Sequence, residues 1–225
     1  MIDHQQQDPR FSSGYSGHSL APLHVPPGVK TALDVGCGFG RTAEDLLKMG
    51  VQVDGVSWNG DELASAQAFC HKVIQCDVNN GIPDLMPHHY DMAICSHLLE
   101  HIAYPKKLLA DIHRALVPDG HLLVVIPNIL FWRDRLKLMR GEWNYEQTGT
   151  FDYTHVRWYT WKTMGTLLSD NGFEPKLSKA YGWIPLPGLK WIIGTRNRAR
   201  INDLACKILP GFFGEQLVFL AQKSK

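Results

Sequence analysis

Leu33-Asp34-Val35-Gly36-Cys37-Gly38-Phe39-Gly40 joins an apolar, strand-like segment to a helical pattern. Glycines at such a junction permit positive φ angles and let the backbone approach a ligand closely, and the start of the following helix offers free N–H groups. The spacing is G-x-G-x-G, whereas dinucleotide sites have G-x-G-x-x-G, and Asp34 would repel a pyrophosphate but can hold an ammonium group. The loop therefore indicates a ligand site and argues against NAD.

The surrounding sequence alternates strand and helix patterns. Apolar segments predict strands at 31–35, 51–57, 73–76, 90–96 and 122–126, and the stretches between them carry apolar residues at helical spacing. This alternation is typical of a parallel sheet with helices on both faces. Ligands of such sheets bind beyond the carboxyl ends of the strands, which is where the glycine loop lies.

The remaining elements are less regular. Asp61 is predicted to cap the helix after the second strand, and Thr160 to cap a later helix that ends at Asn171-Gly172. Residues 128–140 look helical. Residues 173–181 predict a sixth strand and residues 216–222 a last, antiparallel strand, because no helix precedes it in the usual way.

The composition excludes several classes of protein. The chain has 225 residues, 44% apolar and 20% charged, which fits one domain with a sizeable core. Its 23 basic and 22 acidic residues give a net charge of +1. A protein that clamps duplex nucleic acid is usually much more basic, so we expect no nucleic-acid partner.

The cysteines and the apolar runs exclude further classes of protein. The five cysteines are scattered without a Cys-x-x-Cys pair, which argues against a disulfide scaffold or a zinc ribbon. The N-terminus has no signal-peptide pattern, and the longest aliphatic run, 122–126, is too short to span a bilayer. We expect a soluble, cytoplasmic protein without a transmembrane segment.

Motifs in order along the chain resemble the class I S-adenosylmethionine-dependent methyltransferases. The glycine loop looks like their motif I, Asp77-Val78 like the acid after the third strand, residues 90–101 like the fourth strand with its Leu-Glu-His turn, and residues 116–122 like the turn before the fifth strand. The likeness implies a Rossmann-like, doubly wound, mostly parallel seven-stranded α/β sheet with an antiparallel last strand and helices on both faces. Segments 151–160, 171–173 and 209–213 look like the bacterial MetW-like type, which is often associated with glycan or natural-product assembly.

The resemblance implies a site for S-adenosyl-L-methionine, with S-adenosyl-L-homocysteine as product. It assigns the cofactor to residues at the ends of the first four strands, namely Asp34, Gly36, Cys37, Gly38, Ser57, Trp58, Asp77, Val78, Ser96 and His97. One residue departs from the pattern. Where the family usually has Asp or Glu to hold both ribose hydroxyls, this chain has Ser57, which makes a weaker neutral hydrogen bond. Asp61 or Asn59 would compensate, or Trp58 would stack on the adenine instead of packing on the surface.

Three residues are candidates for acid–base chemistry. His97 follows the fourth strand and is our first candidate for the base; the alternative is a histidine that only packs there. His97 and His101 would share a helical face if a helix began at once, but no third metal ligand is evident, so we expect no metal. In one interpretation Asp152 fixes the tautomer of His155, which acts as a general base. In the other, Asp152 and Arg157 form an ion pair that only orders the loop.

The flanking segments are assigned to the acceptor. We expect a single domain at 30–225, divided into a cofactor-binding half at 30–127 and acceptor-side elaborations at 128–160 and 182–213. Residues 1–29 form a loose arm or a lid. Candidate acceptor contacts are Tyr15, Tyr145 and Arg157. Segment 182–213 mixes apolar and basic residues, so it is a packed excursion, a lid, an anion site or a surface that touches a membrane peripherally.

The sequence thus predicts methyl transfer to an oxygen, or a nitrogen, of a small-molecule or glycan-type acceptor, by in-line displacement with a histidine base. Two alternatives stay open. One is a non-catalytic partner protein that keeps the cofactor fold, which the Ser57 departure favours. The other is an NAD-dependent oxidoreductase, for which no catalytic set is evident. The sequence leaves the acceptor and the oligomeric state undetermined.

Overall fold

The computed structural model describes residues 20–83, 85–185 and 195–224. The predicted lid residue Tyr15 therefore lies outside the described residues, as does most of the 1–29 arm. No helix within the described ranges is both long and apolar enough to cross a membrane.

Seven strands form one sheet in the order β3-β2-β1-β4-β5-β7-β6. The strands are β1 (Thr31–Val35), β2 (Gln52–Ser57), β3 (Lys72–Gln75), β4 (Tyr90–Ser96), β5 (Leu116–Pro127), β6 (Phe173–Gly182) and β7 (Gly214–Lys223). The first five pair in parallel, and β7 lies antiparallel between β5 and β6. The predicted mostly parallel sheet with an antiparallel last strand is confirmed.

Helices cover both faces of this sheet. They are α1 (Arg41–Lys48), α2 (Gly60–Ala66), α3 (Pro105–Ala115), α4 (Trp132–Met139), α5 (Trp161–Ser169), α6 (Thr195–Ile208) and α7 (Pro210–Phe213). Successive residues of the central strands face opposite sides, because the side chains of a strand alternate. Ala93 and Cys95 of β4 enter one core with residues of α3 and α5, and Met92 and Ile94 enter the other with residues of α1.

The ends of several elements differ from the sequence expectation. Asn59, and not Asp61, is the N-cap of α2, because the Asn59 side chain accepts from the amides of residues 61 and 62. Thr160 caps α5 as expected, in a capping box with Thr163. The helix predicted over 128–140 is shorter, since α4 begins only at Trp132.

Strand β5 is longer than its apolar run. It pairs with β4 at Leu116, and the pairing shifts before it resumes at His121, so residues 117–120 form an irregularity where a turn is predicted. Asp119 sits there at a φ of 62°. The turn residues therefore interrupt the register of one long strand, and they do not separate it from the preceding helix.

The end of the N-terminal arm is firmly packed. Leu20 and Ala21 are fully buried and belong to the core between the sheet and α1. His24 makes a 2.7 Å hydrogen bond to the Tyr181 hydroxyl of β6. The interpretation of residues 1–29 as a loose arm is wrong for these last residues, because their apolar side chains complete the core.

We expect Gly40→Ala to destabilise the protein more than Gly50→Ala, by about 1–3 kcal/mol. Both glycines have a φ near +80°, so an added Cβ strains both backbones. At Gly40 the Cβ would also lie 2.9 Å from the Ala66 Cα of α2, whereas at Gly50 nothing lies within 4 Å. Urea unfolding of both variants measures the difference. An equal loss of unfolding free energy in the two variants would show that α2 moves away from the added Cβ at little cost.

Candidate functional site

The glycine loop follows β1 at the carboxyl edge of the sheet. Gly36, Gly38 and Gly40 all have positive φ, at 77°, 51° and 82°. The amides of Gly36 and Cys37 donate to the Val56 carbonyl of β2, at 2.8 and 3.0 Å, which fixes the loop to the neighbouring strand. A Cβ at Gly38 would meet nothing within 4 Å, so this side of the loop is an open cradle.

Cys37 contributes its backbone to the cradle, because its side chain points inward. The Cys37 side chain is buried, and a Cβ on Gly55 would lie 2.9 Å from both the Cys37 and the Cys70 sulfur. Gly55 thus leaves room for the two thiols beneath the loop. The predicted cofactor contact at Cys37 can only be made by backbone atoms.

Asp34, the acid before the glycines, is buried without full hydrogen bonding. It is 2% exposed, and its Oδ2 atom has no hydrogen-bond partner among the described residues. Burial raises the pKa of Asp34 to about 7, because the charged form loses its hydration. A cationic ligand at this point would restore the carboxylate and satisfy its orphan oxygen.

Glu62 supplies an acid at the end of β2, where Ser57 replaces the usual carboxylate. The Ser57 hydroxyl donates to Glu62 Oε2 at 2.8 Å. Of the residues expected to compensate, Asn59 is occupied in capping α2, and Asp61 is exposed on that helix. Sequence reasoning missed Glu62. The sequence did contain a signal. Only two residues separate β2 from α2, so a side chain in the first turn of α2 can reach back to the end of the strand.

Trp58 and Asp77 flank the next part of the edge. Trp58 is 73% exposed, so its ring packs little on the protein and presents a free face. The Asp77 carboxylate caps a short 3-10 helix, Val78–Asn80, by accepting from the Asn79 amide at 3.0 Å. It also lines an open cavity of about 490 Å³. Val78 is buried, and its side chain belongs to the hydrophobic core.

Ser96 is the last residue of β4, and His97 follows it at the same edge of the sheet. Ser96 is 6% exposed, and its hydroxyl has no hydrogen-bond partner among the described residues. His97 adopts a φ of 53°, and its Nδ1 atom lies 3.3 Å from Oε1 of Glu100. His97 therefore precedes the short 3-10 helix Leu99–His101 and does not share a helical face with His101. The predicted i, i+4 arrangement is wrong because the chain leaves β4 through a left-handed residue.

The loop at 150–159 contradicts both readings of its charged residues. Asp152 Oδ1 accepts from the Thr154 amide at 2.8 Å and hydroxyl at 2.6 Å. His155 Nδ1 instead contacts the Thr150 carbonyl at 3.1 Å, and Arg157 Nε donates to the Ala103 carbonyl at 2.6 Å. Asp152 thus pairs directly with neither His155 nor Arg157, because Thr154 lies between them and takes its hydrogen bonds.

His155 meets His101 and Glu100 inside the structure. The two imidazole rings pack edge to face with centroids 4.7 Å apart. Burial lowers the pKa of His155 from its ordinary value, although the nearby Glu100 carboxylate opposes this shift. His155 is therefore kept as a neutral imidazole near pH 7.

The two described residues that are predicted to contact the acceptor, Tyr145 and Arg157, do not line the cavity that contains Asp77. Tyr145 is 62% exposed, and Arg157 is also exposed, so both remain at the surface. A second, apolar cavity of about 480 Å³ lies elsewhere, between α4, Pro185 and α7. Of segment 182–213, residues 186–194 lie outside the described ranges, so its interpretation as a lid, anion site or membrane surface stays a prediction.

The comparison with known families decides the assignment. A model described as a methyltransferase domain matches residues 16–177, which is most of the chain. The chain belongs to this methyltransferase domain family. Ubiquinone biosynthesis O-methyltransferases of Idiomarina loihiensis and Vibrio cholerae are 32% and 31% identical to it, over 98 and 99 residues. These alignments cover 41% of this chain and 40% of each relative, so the chain matches about two fifths of their length.

Solved methyltransferase structures share the fold. A SAM-dependent methyltransferase from Archaeoglobus fulgidus superposes with a TM-score of 0.61 at 19% identity, over 87% of both chains. The 1,6-didemethyltoxoflavin-N1-methyltransferase of Burkholderia thailandensis, solved with 1,6-didemethyltoxoflavin and S-adenosylhomocysteine, gives 0.57 at 18% identity, over 93% of this chain and 77% of that one. The predicted fold class is thereby confirmed.

In this methyltransferase domain, Asp34→Asn is expected to stabilise the ligand-free protein more at pH 8 than at pH 5. The pKa of Asp34 is about 7 in the folded state, against 3.8 for an aspartate in water. The stability that the protonated carboxyl gives the folded state is therefore fully present below pH 4 and is lost as the pH rises to 7. The neutral amide removes this loss, and the gain at pH 8 exceeds that at pH 5 by about 2–3 kcal/mol.

Urea unfolding at the two pH values measures this difference. Asp61→Asn, on the exposed start of α2, is the control for removing a carboxylate that is not buried. A gain from Asp34→Asn that is equal at both pH values would contradict the assigned titration.

Proposed function

We propose that this protein is an S-adenosylmethionine-dependent methyltransferase that methylates an oxygen, or a nitrogen, of a small-molecule or glycan-type acceptor. One observation carries the proposal. The buried carboxylate of Asp34, with an oxygen that lacks a hydrogen-bond partner among the described residues, precedes the glycine loop, which is open at Gly38. This is where the family resemblance puts the amino-acid end of the cofactor, whose ammonium group fits a buried acid.

The other cofactor contacts follow the strand ends. Ser57 and Glu62 together offer the ribose hydroxyls a hydroxyl and a carboxylate, since they are 2.8 Å apart. The exposed ring of Trp58 and the carboxylate of Asp77 are the groups available to the adenine, the first by stacking and the second by accepting from the amino group. Ser96 offers a hydroxyl that no described residue satisfies. The residues present therefore fit the cofactor.

His97 is the residue that we assign as the base. S-adenosylmethionine, when bound, supplies an electrophilic methyl group on its sulfonium. His97 takes the proton that the acceptor hydroxyl loses as its oxygen attacks. Glu100, 3.3 Å from Nδ1, stabilises the resulting imidazolium. Asp152 acts by positioning, because it orders Thr154 and so the loop that carries His155.

The acceptor is proposed from the relatives and from the surface of the loop. O-methyltransferases of ubiquinone biosynthesis are among the curated proteins to which the chain is similar, which favours oxygen. Tyr145 and Arg157 are exposed on the acceptor-side segment, where both side chains are accessible to a small molecule or sugar. A cytoplasmic location and a single domain at 30–225 stay predictions.

Glu62 weakens the case for a non-catalytic partner protein. That alternative depended on the missing acid at Ser57, and Glu62 brings a carboxylate to the same strand end. The NAD-dependent oxidoreductase is disfavoured by the family to which the chain belongs. Titration with NAD and with S-adenosylhomocysteine separates these classes, because the proposed function requires binding of the second and not of the first.

Glu62→Gln is expected to weaken S-adenosylhomocysteine binding by about 10- to 100-fold, because it removes a charged acceptor of hydrogen bonds. Asp77→Ala should weaken binding to a similar degree by removing the adenine contact. Asp61→Asn, one residue away on the exposed face of α2, serves as the matched control and should bind normally. Calorimetric titration gives the three affinities. Unchanged binding by Glu62→Gln would contradict its assignment to the ribose.

His97→Ala is expected to leave S-adenosylhomocysteine affinity within a few-fold and to slow turnover by about 100-fold or more, the usual contribution of a general base. Turnover is measured as S-adenosylhomocysteine release with a panel of hydroxylated small molecules and sugars. His71→Ala, at the opposite edge of the sheet, is the control. Normal turnover by His97→Ala would remove His97 as the base.

A further inference from the structure

Glu100, His101 and His155 form a cluster that methyl transfer as proposed does not use in full. Glu100 and His101 belong to the turn after β4, and His155 comes from the acceptor-side loop 150–159. One ligand atom from each residue lies within 4.8 Å of the other two. Glu100 is 1% exposed and His155 is 8% exposed, whereas His101 is partly exposed, so the cluster reaches from the interior to the surface.

The Glu100 carboxylate is the most unusual member. Both of its oxygens are buried and have no hydrogen-bond partner among the described residues. Outside the cluster, His97 Nδ1 lies 3.3 Å from Glu100 Oε1 and forms an ion pair with it only when His97 is protonated. An ionised carboxylate is costly to bury unless it is paired or coordinates a metal. Its oxygens are therefore arranged for a cation that sits between Glu100 and its neighbours.

The tautomers of the two histidines suit a metal. His155 Nδ1 contacts the Thr150 carbonyl, which can only accept, so Nδ1 carries the proton and Nε2 keeps its lone pair. His101 Nδ1 contacts the carbonyl of Thr154 at 3.3 Å and its hydroxyl oxygen at 3.1 Å. That hydroxyl already donates to Asp152 at 2.6 Å, so it accepts from His101. Both histidines thus keep the Nε2 lone pair available to a ligand while Nδ1 is held by an outer hydrogen bond, as in metal-binding histidines.

We propose that Glu100, His101 and His155 bind a divalent transition-metal ion, with Zn²⁺ best suited to two imidazole nitrogens and one carboxylate oxygen. Three protein ligands leave a fourth position for water or for an oxygen of an acceptor. Ligands about 2.1 Å from a tetrahedral Zn²⁺ lie about 3.4 Å apart. The most distant ligand atoms, at up to 4.8 Å, therefore have to approach by up to about 1.4 Å when the ion binds.

The ion would tie two segments that are distant in sequence. The Glu100 carbonyl already accepts from the amides of Val156 and Arg157, at 2.9 and 3.0 Å, so the loop is docked on the turn without it. The backbone thus preorganises the three ligands. This proposal replaces the sequence expectation of no metal, and it gives Asp152 a place as the residue that orients His101 through Thr154.

Metal uptake by the full chain tests the proposal. The protein is treated with a chelator, freed of it, incubated with Zn²⁺ and desalted, and bound zinc is measured by elemental analysis. We expect one equivalent in the wild type and a loss of affinity of at least about 100-fold in Glu100→Gln, His101→Ala and His155→Ala. His71→Ala, which removes an exposed imidazole at the other edge of the sheet, should retain the equivalent. Thr154→Val should weaken binding about 10- to 100-fold, as loss of an outer partner does.

A second readout uses Co²⁺ alone, whose visible absorption reports coordination by nitrogen and oxygen. The absorption bands should appear in wild type and be absent in His101→Ala. This variant removes the least buried of the three ligands, so we expect it to fold. Thermal melts without metal confirm folding of each variant. No uptake of either ion by wild type, or equal uptake by the three ligand variants, would overturn the proposal. Because neither readout needs cofactor or acceptor, this outcome is separate from failure of the proposed methyl transfer.

Discussion

Parallel pairing of the central strands is the constraint on which the rest of this protein depends. Val35 lies opposite Val56 on one side and Cys95 on the other, and Cys95 lies opposite Val124. Because these strands run the same way and are buried by helices on both faces, their carboxyl ends meet at one edge. Each polar residue that follows a buried strand is thereby delivered to that edge. The glycine loop, the Ser57–Glu62 pair and the turn after β4 share this origin.

The same edge holds polar groups whose burial is unfavourable in the ligand-free protein. Asp34, Ser96 and Glu100 each bury an oxygen without a hydrogen-bond partner among the described residues. Such a group costs about 1–3 kcal/mol, and more when it is charged. Native proteins leave few of them, so their concentration at one edge indicates groups that complete their bonding with ligands. We assign Asp34 and Ser96 to a cofactor and Glu100 to a metal ion, with His97 between the two.

The sequence was most informative where one local rule decides the outcome. Strands β1 and β4 have the predicted bounds, because each is an apolar run closed by a polar or glycine residue. Thr160 caps α5 because a threonine followed by Thr163 satisfies the free amides. Prediction was poorer where two local signals compete. At the start of α2 both Asn59 and Asp61 are suitable caps, and only the course of the chain after β2 selects Asn59.

The sequence by itself determined the doubly wound sheet, the antiparallel last strand and the position of the glycine cradle, because strand alternation and glycine spacing act within a few residues. Tertiary structure alone decided which side chains meet. Glu62 turns back to Ser57, Thr154 takes the hydrogen bonds of Asp152, and His155 joins Glu100 and His101. Contacts of this kind depend on how helices and loops pack over the strand ends. The last of them joins side chains more than fifty residues apart, and no periodicity in the sequence encodes such a distance.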